Sequence, residues 1–507
     1  MSNTALLTKA ATREGTLAHK EKYSDFQFNE LGSTGLLVSQ AGFGCFRVRK
    51  SDEFSGLALK NALQSGVNVV EIASNYADGD AEEIVGDVLE GLINDGKIDR
   101  NEVVLIAKGG YLQGKKYSDN QQRKINGNGY KEVIDFCEGF EYCIHPKFLA
   151  DQITETLNNL KVDAVDGYLV HNPEHYLSWA SKQPNFNLQA ARRECYLRIK
   201  ESFLYLEQEV VRGRIAFYGV SSRALPLPEN EVEFISLEEL MAIAESISAN
   251  NNFKLVQFPM NLLETGGITN KNQSNGQSTL ELAREKGLAV VINRPLNAFL
   301  GNKMTRLVDY EDFKEVTKSG VLSLVQAVAA REKVFEAAMF EQLGLVPEKQ
   351  SDLLNLMSTG KKLNTHWQNF RNFEHWRDTC NQFFTLRIKR AVEIILASPG
   401  ITDQIESWLK DYLADVNKAM ESLANYYKGK SSWKSKAIRE MVQSADSDWA
   451  NAGMMSQIAV RALRSTKGVN SVLVGMRQAN YVEDVLNEIK KPVMVEDKNS
   501  SWEKMTI

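Results

Sequence analysis

Glu71, Tyr76, Lys108 and His171 are a carboxylate, a phenol, an ammonium and an imidazole, each at or just beyond the end of a short apolar run. The runs are Val67–Ile72 (VNVVEI), Val103–Ala107 (VVLIA) and Val165–Val170 (VDGYLV). A phenol can give a proton to an oxygen that is gaining negative charge, but a free phenol titrates near pH ~10 and is a weak acid at neutrality. A neighbouring ammonium favours the phenolate and is expected to lower that value. The carboxylate would keep the ammonium charged and oriented, and the imidazole would hydrogen-bond the reacting oxygen. Taken singly, each residue has a plainer reading: a packing tyrosine, a solvated lysine at a strand end, a structural histidine, a glutamate capping the next helix. Only their arrival together at one rim makes a site, so the elements that carry them decide the matter.

From about residue 40 to 300, strand-like and helix-like segments alternate. Besides the three runs above, the strands are Gln40–Cys45, Ile215–Val220, Lys254–Phe258 and Leu288–Ile292. Helical spacing fills the gaps, for example Phe54–Gln64, Ala81–Ile93, Lys147–Leu160 and Leu188–Val211. Continuous apolar strands alternating with helices predict a parallel sheet of βαβ units. Seven such strands suit a (β/α)₈ barrel, an α/β TIM barrel whose eighth strand is Ser471–Val474 (SVLV). A barrel places its chemistry at the carboxyl ends of its strands. That rim would also carry Asn172, Ser221, Gln257 and Arg294-Pro295-Leu296.

About 150 residues separate strands seven and eight, and they read as helical in Tyr310–Leu343, Phe370–Leu396, Thr402–Tyr427 and Ser435–Ser444. Five of the seven tryptophans (Trp367, Trp376, Trp408, Trp433 and Trp449) fall there, which predicts a packed subdomain on the catalytic face. The expected organisation is an extension at 1–25, a barrel with an N-terminal hairpin at 26–300, a helical insertion at 301–455 and a closing unit at 456–507. Residues 113–146, polar and Gly/Asn-rich and then aromatic, are expected to form a substrate-side loop. Lys428–Lys436 (KGKSSWKSK) reads as a solvated connection between helices.

The opening LGSTGLLVSQAGFGCFRV (31–48), with YCIHPKFLADQI (142–153), LVHNPE (169–174) and VQFPMNL (256–262), resembles the aldo-keto reductase superfamily, in a little-characterised branch. The resemblance covers most of the chain outside 300–455. It implies an NADPH-dependent oxidoreductase that reduces an aldehyde, ketone or related group, with Tyr76 as general acid and Lys108, His171 and Glu71 completing the tetrad. The family normally carries Asp where this chain has Glu71, so one extra methylene moves the carboxylate relative to Lys108. The same carry-over implies that Ser221, Gln257 and Asn172 contact the nicotinamide carboxamide. Arg294, Pro295 and Leu296 would line the pyrophosphate path, and Gly475 and Arg477 the last phosphate. Arg477 would favour NADP(H) over NAD(H), although Tyr481 and Val485 replace the family's adenine-gripping Gln and Asn. The rival reading is a catalytically altered barrel that binds nicotinamide as a regulatory or assembly subunit, and a third is a lyase or isomerase reusing Tyr76 and Lys108.

Composition bounds these readings. The 507 residues are 43% hydrophobic and 25% charged, an ordinary globular mix. Lys+Arg number 60 against 65 Asp+Glu, net charge −5, so no basic field favours nucleic acid. No run approaches the ~20 apolar residues of a membrane helix, the first 25 residues lack a signal-peptide core, and five cysteines make no disulfide framework. The expectation is a cytoplasmic protein whose partner is a small carbonyl compound. Cys137, Cys143 and His145 do not have a zinc spacing, and no metal is expected. His366 and His375 are expected to pack the helical insertion. No GxGxxG or P-loop is present.

Overall fold

The computed structural model describes residues 10–301 and 303–506. Eight parallel strands close a barrel in chain order: β1 (Ala41–Gly44), β2 (Val69–Glu71), β3 (Val104–Gly109), β4 (Val165–His171), β5 (Ile215–Ser221), β6 (Phe253–Pro259), β7 (Ala289–Asn293) and β8 (Ser471–Val474). Each pairs with its predecessor, and β8 closes on β1 through Val472–Ala41 and Val474–Phe43. Buried apolar residues face both ways along these strands, as a sheet covered on both sides requires.

Strand alternation sorts each strand's residues between inside and outside. Val69, Val104, Ile106, Leu169, Phe217, Leu255, Ala289, Val291 and Leu473 fill the interior. Two residues further along the same strands, the inward positions become Glu71, Lys108, His171 and Gln257, and on β5 Ser221 follows Phe217 by four residues, past Gly219. The polar rim is therefore the continuation of the core pattern by one more pleat. At the opposite end, an antiparallel hairpin of Phe28–Glu30 with Leu37–Ser39 plugs the barrel with Leu31, Leu36 and Val38. Residues 10–25 contain helix Arg13–Lys22, whose His19 lies between Glu102 and the Gly66 carbonyl, so this segment packs on the barrel. Gly219 on β5 admits no side chain, since a Cβ there would meet the Leu255 carbonyl of the adjacent strand.

Residues 111–142 are folded rather than an open loop. They form helix Gly114–Ile125 and a small sheet in which Phe140–Tyr142 pairs with both Tyr111–Gln113 and Ile134–Cys137.

The chain divides into two compact units, 1–300 with 441–507, and 301–440. The second unit is helical, and its core gathers Val321, Val325, Phe335, Trp367, Trp376, Trp408, Tyr412 and Tyr427. Its buried Glu332 accepts the backbone N–H groups of Gly360 and Lys361 and the Tyr412 hydroxyl. It ends at Glu440, earlier than the expected 455. Trp449 lies tilted against Trp502 at 4.8 Å, ring to ring, and donates to Ser465 in the barrel unit, and Trp433 is 74% exposed. Helix Lys318–Ala338 starts later than Tyr310. The two expected helices over 402–444 are one helix, Asp403–Ala445, running straight through the Lys428–Lys436 stretch. That stretch is anchored by tertiary contacts: Ser435 donates to the Val308 carbonyl, and Gly429 lies against Phe313. No helix among the described residues is long and apolar enough to cross a membrane.

Candidate active site

β2, β3 and β4 deliver Glu71, Lys108 and His171 to the carboxyl end of the barrel, and the turn after β2 returns Tyr76 over them. That turn, Tyr76–Gly79, holds Ala77 at φ 49° and Asp78 at φ 57°, left-handed conformations disfavoured for side-chain-bearing residues. Asp78 is held by accepting the Lys115 N–H. Asn172 (φ 52°) after β4 and Arg294 (φ 55°) after β7 are left-handed as well. Backbone strain of this kind concentrates where a fold must aim side chains.

Lys108 lies at the centre. Its ammonium pairs with Glu71 and donates to the Tyr76 hydroxyl at 2.6 Å and to Gln257 Oε1 at 3.2 Å. The Tyr76 hydroxyl in turn donates to Glu71 Oε1 at 3.1 Å. Ser221 donates to the same Gln257 oxygen that Lys108 reaches. Glu71, Tyr76, Lys108, Ser221 and Gln257 are all buried and form one connected network.

Electrostatics correct one expectation. Burial pushes the Tyr76 phenol well above its ordinary value, and the Glu71 charge adds to the rise. The residue types alone predict that Lys108 lowers it. Its charge is instead matched by Glu71, which also accepts the phenol's hydrogen bond. Burial, with the Lys108 charge and His175 beside it, holds His171 well below the usual imidazole range. A neutral imidazole therefore stands 6.5 Å, ring to ring, from Tyr76.

Three neighbours do not follow from the sequence pattern. Phe46, 66% exposed, meets the Tyr76 ring edge-on at 5.3 Å. Tyr111, three residues after Lys108, lies 4.7 Å from the His171 ring, accepts from Asn172 Nδ2 and bonds His175 Nε2 at 2.8 Å. His175 is enclosed by Tyr111, Phe136, Phe140 and Tyr142, and burial followed by Arg223 pulls its pKa down to about 3. The aromatic density of 136–142 was the available signal.

The remaining residues expected at the cofactor lie on the same barrel end. Asn172 N–H donates to the Ser221 carbonyl at 2.7 Å. Arg294 faces Glu264 at 3.4 Å and lies over the half-exposed Phe299 ring, with Pro295 buried and Leu296 half-buried after it. Gly475 borders open space. Arg477 pairs with Asp52 at 2.8 Å, so this guanidinium already has a carboxylate partner. Val485 is buried, facing the protein interior, and Tyr481 is half-buried. Helix Ala479–Ile489 begins without a side-chain cap. The Cys143 thiol donates to the Lys131 carbonyl.

A family model described as the Aldo/keto reductase family matches residues 42–366. Among curated proteins, the chain is similar to an uncharacterized oxidoreductase of Bacillus subtilis, 24% identical over 193 residues, 38% of this chain and 48% of that protein. It is also similar to an NAD(P)H-dependent D-xylose reductase of Candida tenuis, 26% identical over 195 residues, 38% of this chain and 50% of that protein. The chain thus spans about half the length of these relatives. Among solved structures, an aldo-keto reductase from Bacillus halodurans in its holo form aligns at 15% identity and TM-score 0.35, over 76% of this chain and 96% of that one. The matched family segment takes in seven of the eight barrel strands and more than half of the sequence; the chain belongs to the aldo/keto reductase family.

Proposed function

We propose that this protein is an NADPH-dependent oxidoreductase that reduces a small-molecule carbonyl group, with Tyr76 as the proton donor. The observation that carries this reading is the buried Glu71–Lys108–Tyr76 network at the barrel mouth, beside a neutral His171. Reduction adds a hydride at the carbonyl carbon and a proton at its oxygen. Tyr76 gives that proton, and its hydroxyl is held in place between the Lys108 ammonium and the Glu71 carboxylate. The ammonium stabilises the phenolate left behind. His171, being neutral, can donate one hydrogen bond to the substrate oxygen and orient it without competing as the acid.

The residues present fit a dinucleotide. Asn172, Ser221 and Gln257 offer amide and hydroxyl groups for a nicotinamide carboxamide. Arg294, Pro295 and Leu296 would lie along the pyrophosphate. Gly475, Arg477 and the uncapped start of helix Ala479–Ile489 suit a phosphate, since such a terminus presents unpaired N–H groups. A reduced nicotinamide bound there supplies the hydride. The name of the Candida tenuis relative, an NAD(P)H-dependent D-xylose reductase, supports the choice of cofactor.

The test is titration of NADPH and NADH into cofactor-free protein by nicotinamide fluorescence, paired with Tyr76→Phe. Micromolar NADPH binding retained in the variant, with turnover of an aldehyde panel lost, is expected. No saturable binding of either nucleotide overturns the reading.

A further inference from the structure

We propose that Tyr111 is a positioning residue for the cofactor: its hydroxyl fixes the Asn172 side chain in the orientation that presents it to the nicotinamide carboxamide. This rests on the oxidoreductase reading above and assigns a task to the small sheet inserted after β3.

Three observations converge on Tyr111. Its hydroxyl accepts from Asn172 Nδ2 at 2.5 Å and bonds His175 Nε2 at 2.8 Å, so it ties the loop after β4 at two points. Its ring is fixed independently, lying parallel to Phe140 at 5.4 Å with a 7° interplanar angle and edge-on to Tyr142 at 5.9 Å. The inserted sheet sets where that ring lies, because Tyr111 pairs with Tyr142 across it. The hydroxyl is therefore a fixed point, and Asn172 adjusts to it.

Asn172 needs such a fixed point. Its backbone is left-handed, and its N–H is committed to the Ser221 carbonyl. A side-chain amide turns about its own torsions, and the bond to the Tyr111 hydroxyl is what fixes this one. With its NH₂ group engaged by Tyr111, the Asn172 carbonyl oxygen is the end left to accept from a carboxamide NH₂. His175 completes the arrangement. Enclosed by aromatic rings and uncharged at neutral pH, it bonds the Tyr111 hydroxyl through Nε2 and gives it a second anchor, while burial holds the phenol's pKa up and keeps it neutral. The Tyr111 ring also packs on His171 at 4.7 Å, so the same anchor borders the oxygen-orienting imidazole.

The test uses Tyr111→Phe, which removes the hydroxyl and keeps every ring contact. Dissociation constants for NADPH are measured by nicotinamide fluorescence in wild type, Tyr111→Phe, Asn172→Ala and the double variant, with melting temperature as the control for folding. The expected result is a roughly tenfold weaker NADPH dissociation constant in each single variant and no further loss in the double variant. In turnover, the loss should appear in the NADPH KM, with kcat changed less than threefold. Unchanged affinity in Tyr111→Phe, or single effects that multiply in the double variant, overturns the proposal and leaves the oxidoreductase reading standing. Failure of wild type to bind NADPH overturns both. Should Asn172→Ala fail to fold, Asn172→Gly replaces it: glycine accepts the left-handed backbone and removes the amide. Adding Tyr111→Phe to Asn172→Gly should then cost no further NADPH affinity, and a further tenfold loss refutes the tether.

Discussion

Glu71→Asp isolates the consequence of the longer acid. Removing one methylene draws the carboxylate back by about 1.5 Å, one carbon–carbon bond. Lys108 has a flexible stem and can follow it, but Tyr76 is only 6% exposed and held by its strained turn. The 3.1 Å bond from the Tyr76 hydroxyl to Glu71 therefore opens beyond hydrogen-bonding range. Losing a hydrogen bond to a charged group costs about 1.5–3 kcal/mol, and the missing buried methylene adds about 0.8 kcal/mol. Unfolding in urea should show a loss of roughly 2–4 kcal/mol. The phenol should respond in the opposite sense. Burial still holds its pKa up, but the part due to Glu71 diminishes, so Tyr76 becomes a stronger acid. Tyrosinate absorbance, taken as the difference between Glu71→Asp and Glu71→Asp/Tyr76→Phe, should rise at lower pH than the corresponding wild-type difference. A tenfold change in the phenol's ionisation constant corresponds to about 1.4 kcal/mol. A stability change under about 0.5 kcal/mol, or a Tyr76 that ionises at the wild-type pH or higher, would refute the direct Glu71–Tyr76 contact.

Other outcomes follow from the same electrostatics. His171 and His175 are buried and neutral, with folded pKa values below the ~6.5 of an unfolded histidine. The unfolded chain thus binds more protons below that value, and stability present above pH ~6.5 should fall on acidification by about 1.4 kcal/mol per pH unit for each histidine. Glu174 acts the other way: burial raises it to about 7, so its contribution is present below the unfolded value near ~4.5 and is lost as pH rises toward 7. Glu174→Gln should steepen the rise in stability between about pH 4.5 and 6.5 in urea titrations, and an unchanged slope would contradict its burial in the uncharged form. Arg477→Ala should weaken NADPH binding about tenfold or more and leave NADH nearly unchanged, with at most about 1 kcal/mol lost from its partly exposed pair with Asp52. Equal losses for both nucleotides would place Arg477 away from the 2′-phosphate.

The barrel was legible because its signal is local: a strand buried on both faces must be continuously apolar, and seven runs with helical spacing between them leave few alternatives. The rim was legible for a related reason. Lys108 continues the alternation of Val104 and Ile106, as His171 continues that of Leu169, so an inward position past the last apolar layer must be polar and face the mouth. What pattern alone could not supply was everything set by distance between segments. Nothing in the residues near Glu71 says that its carboxylate reaches the Tyr76 hydroxyl, and this contact, with burial, reversed the expected direction of the phenol's pKa. The polar, glycine-rich stretch before the aromatic run at 136–142 hid a sheet whose partner strands lie about 30 residues apart in the chain. Lys428–Lys436 looked like a break because serine, glycine and lysine are poor core formers, yet Ser435 and Gly429 find partners far away and the helix continues. Trp433 and Trp449 counted equally in the sequence, but one is exposed and the other rests against Trp502. Periodicity reports which way a residue faces along its own element, whereas pKa values, tethers and unit boundaries depend on what another part of the chain places opposite it.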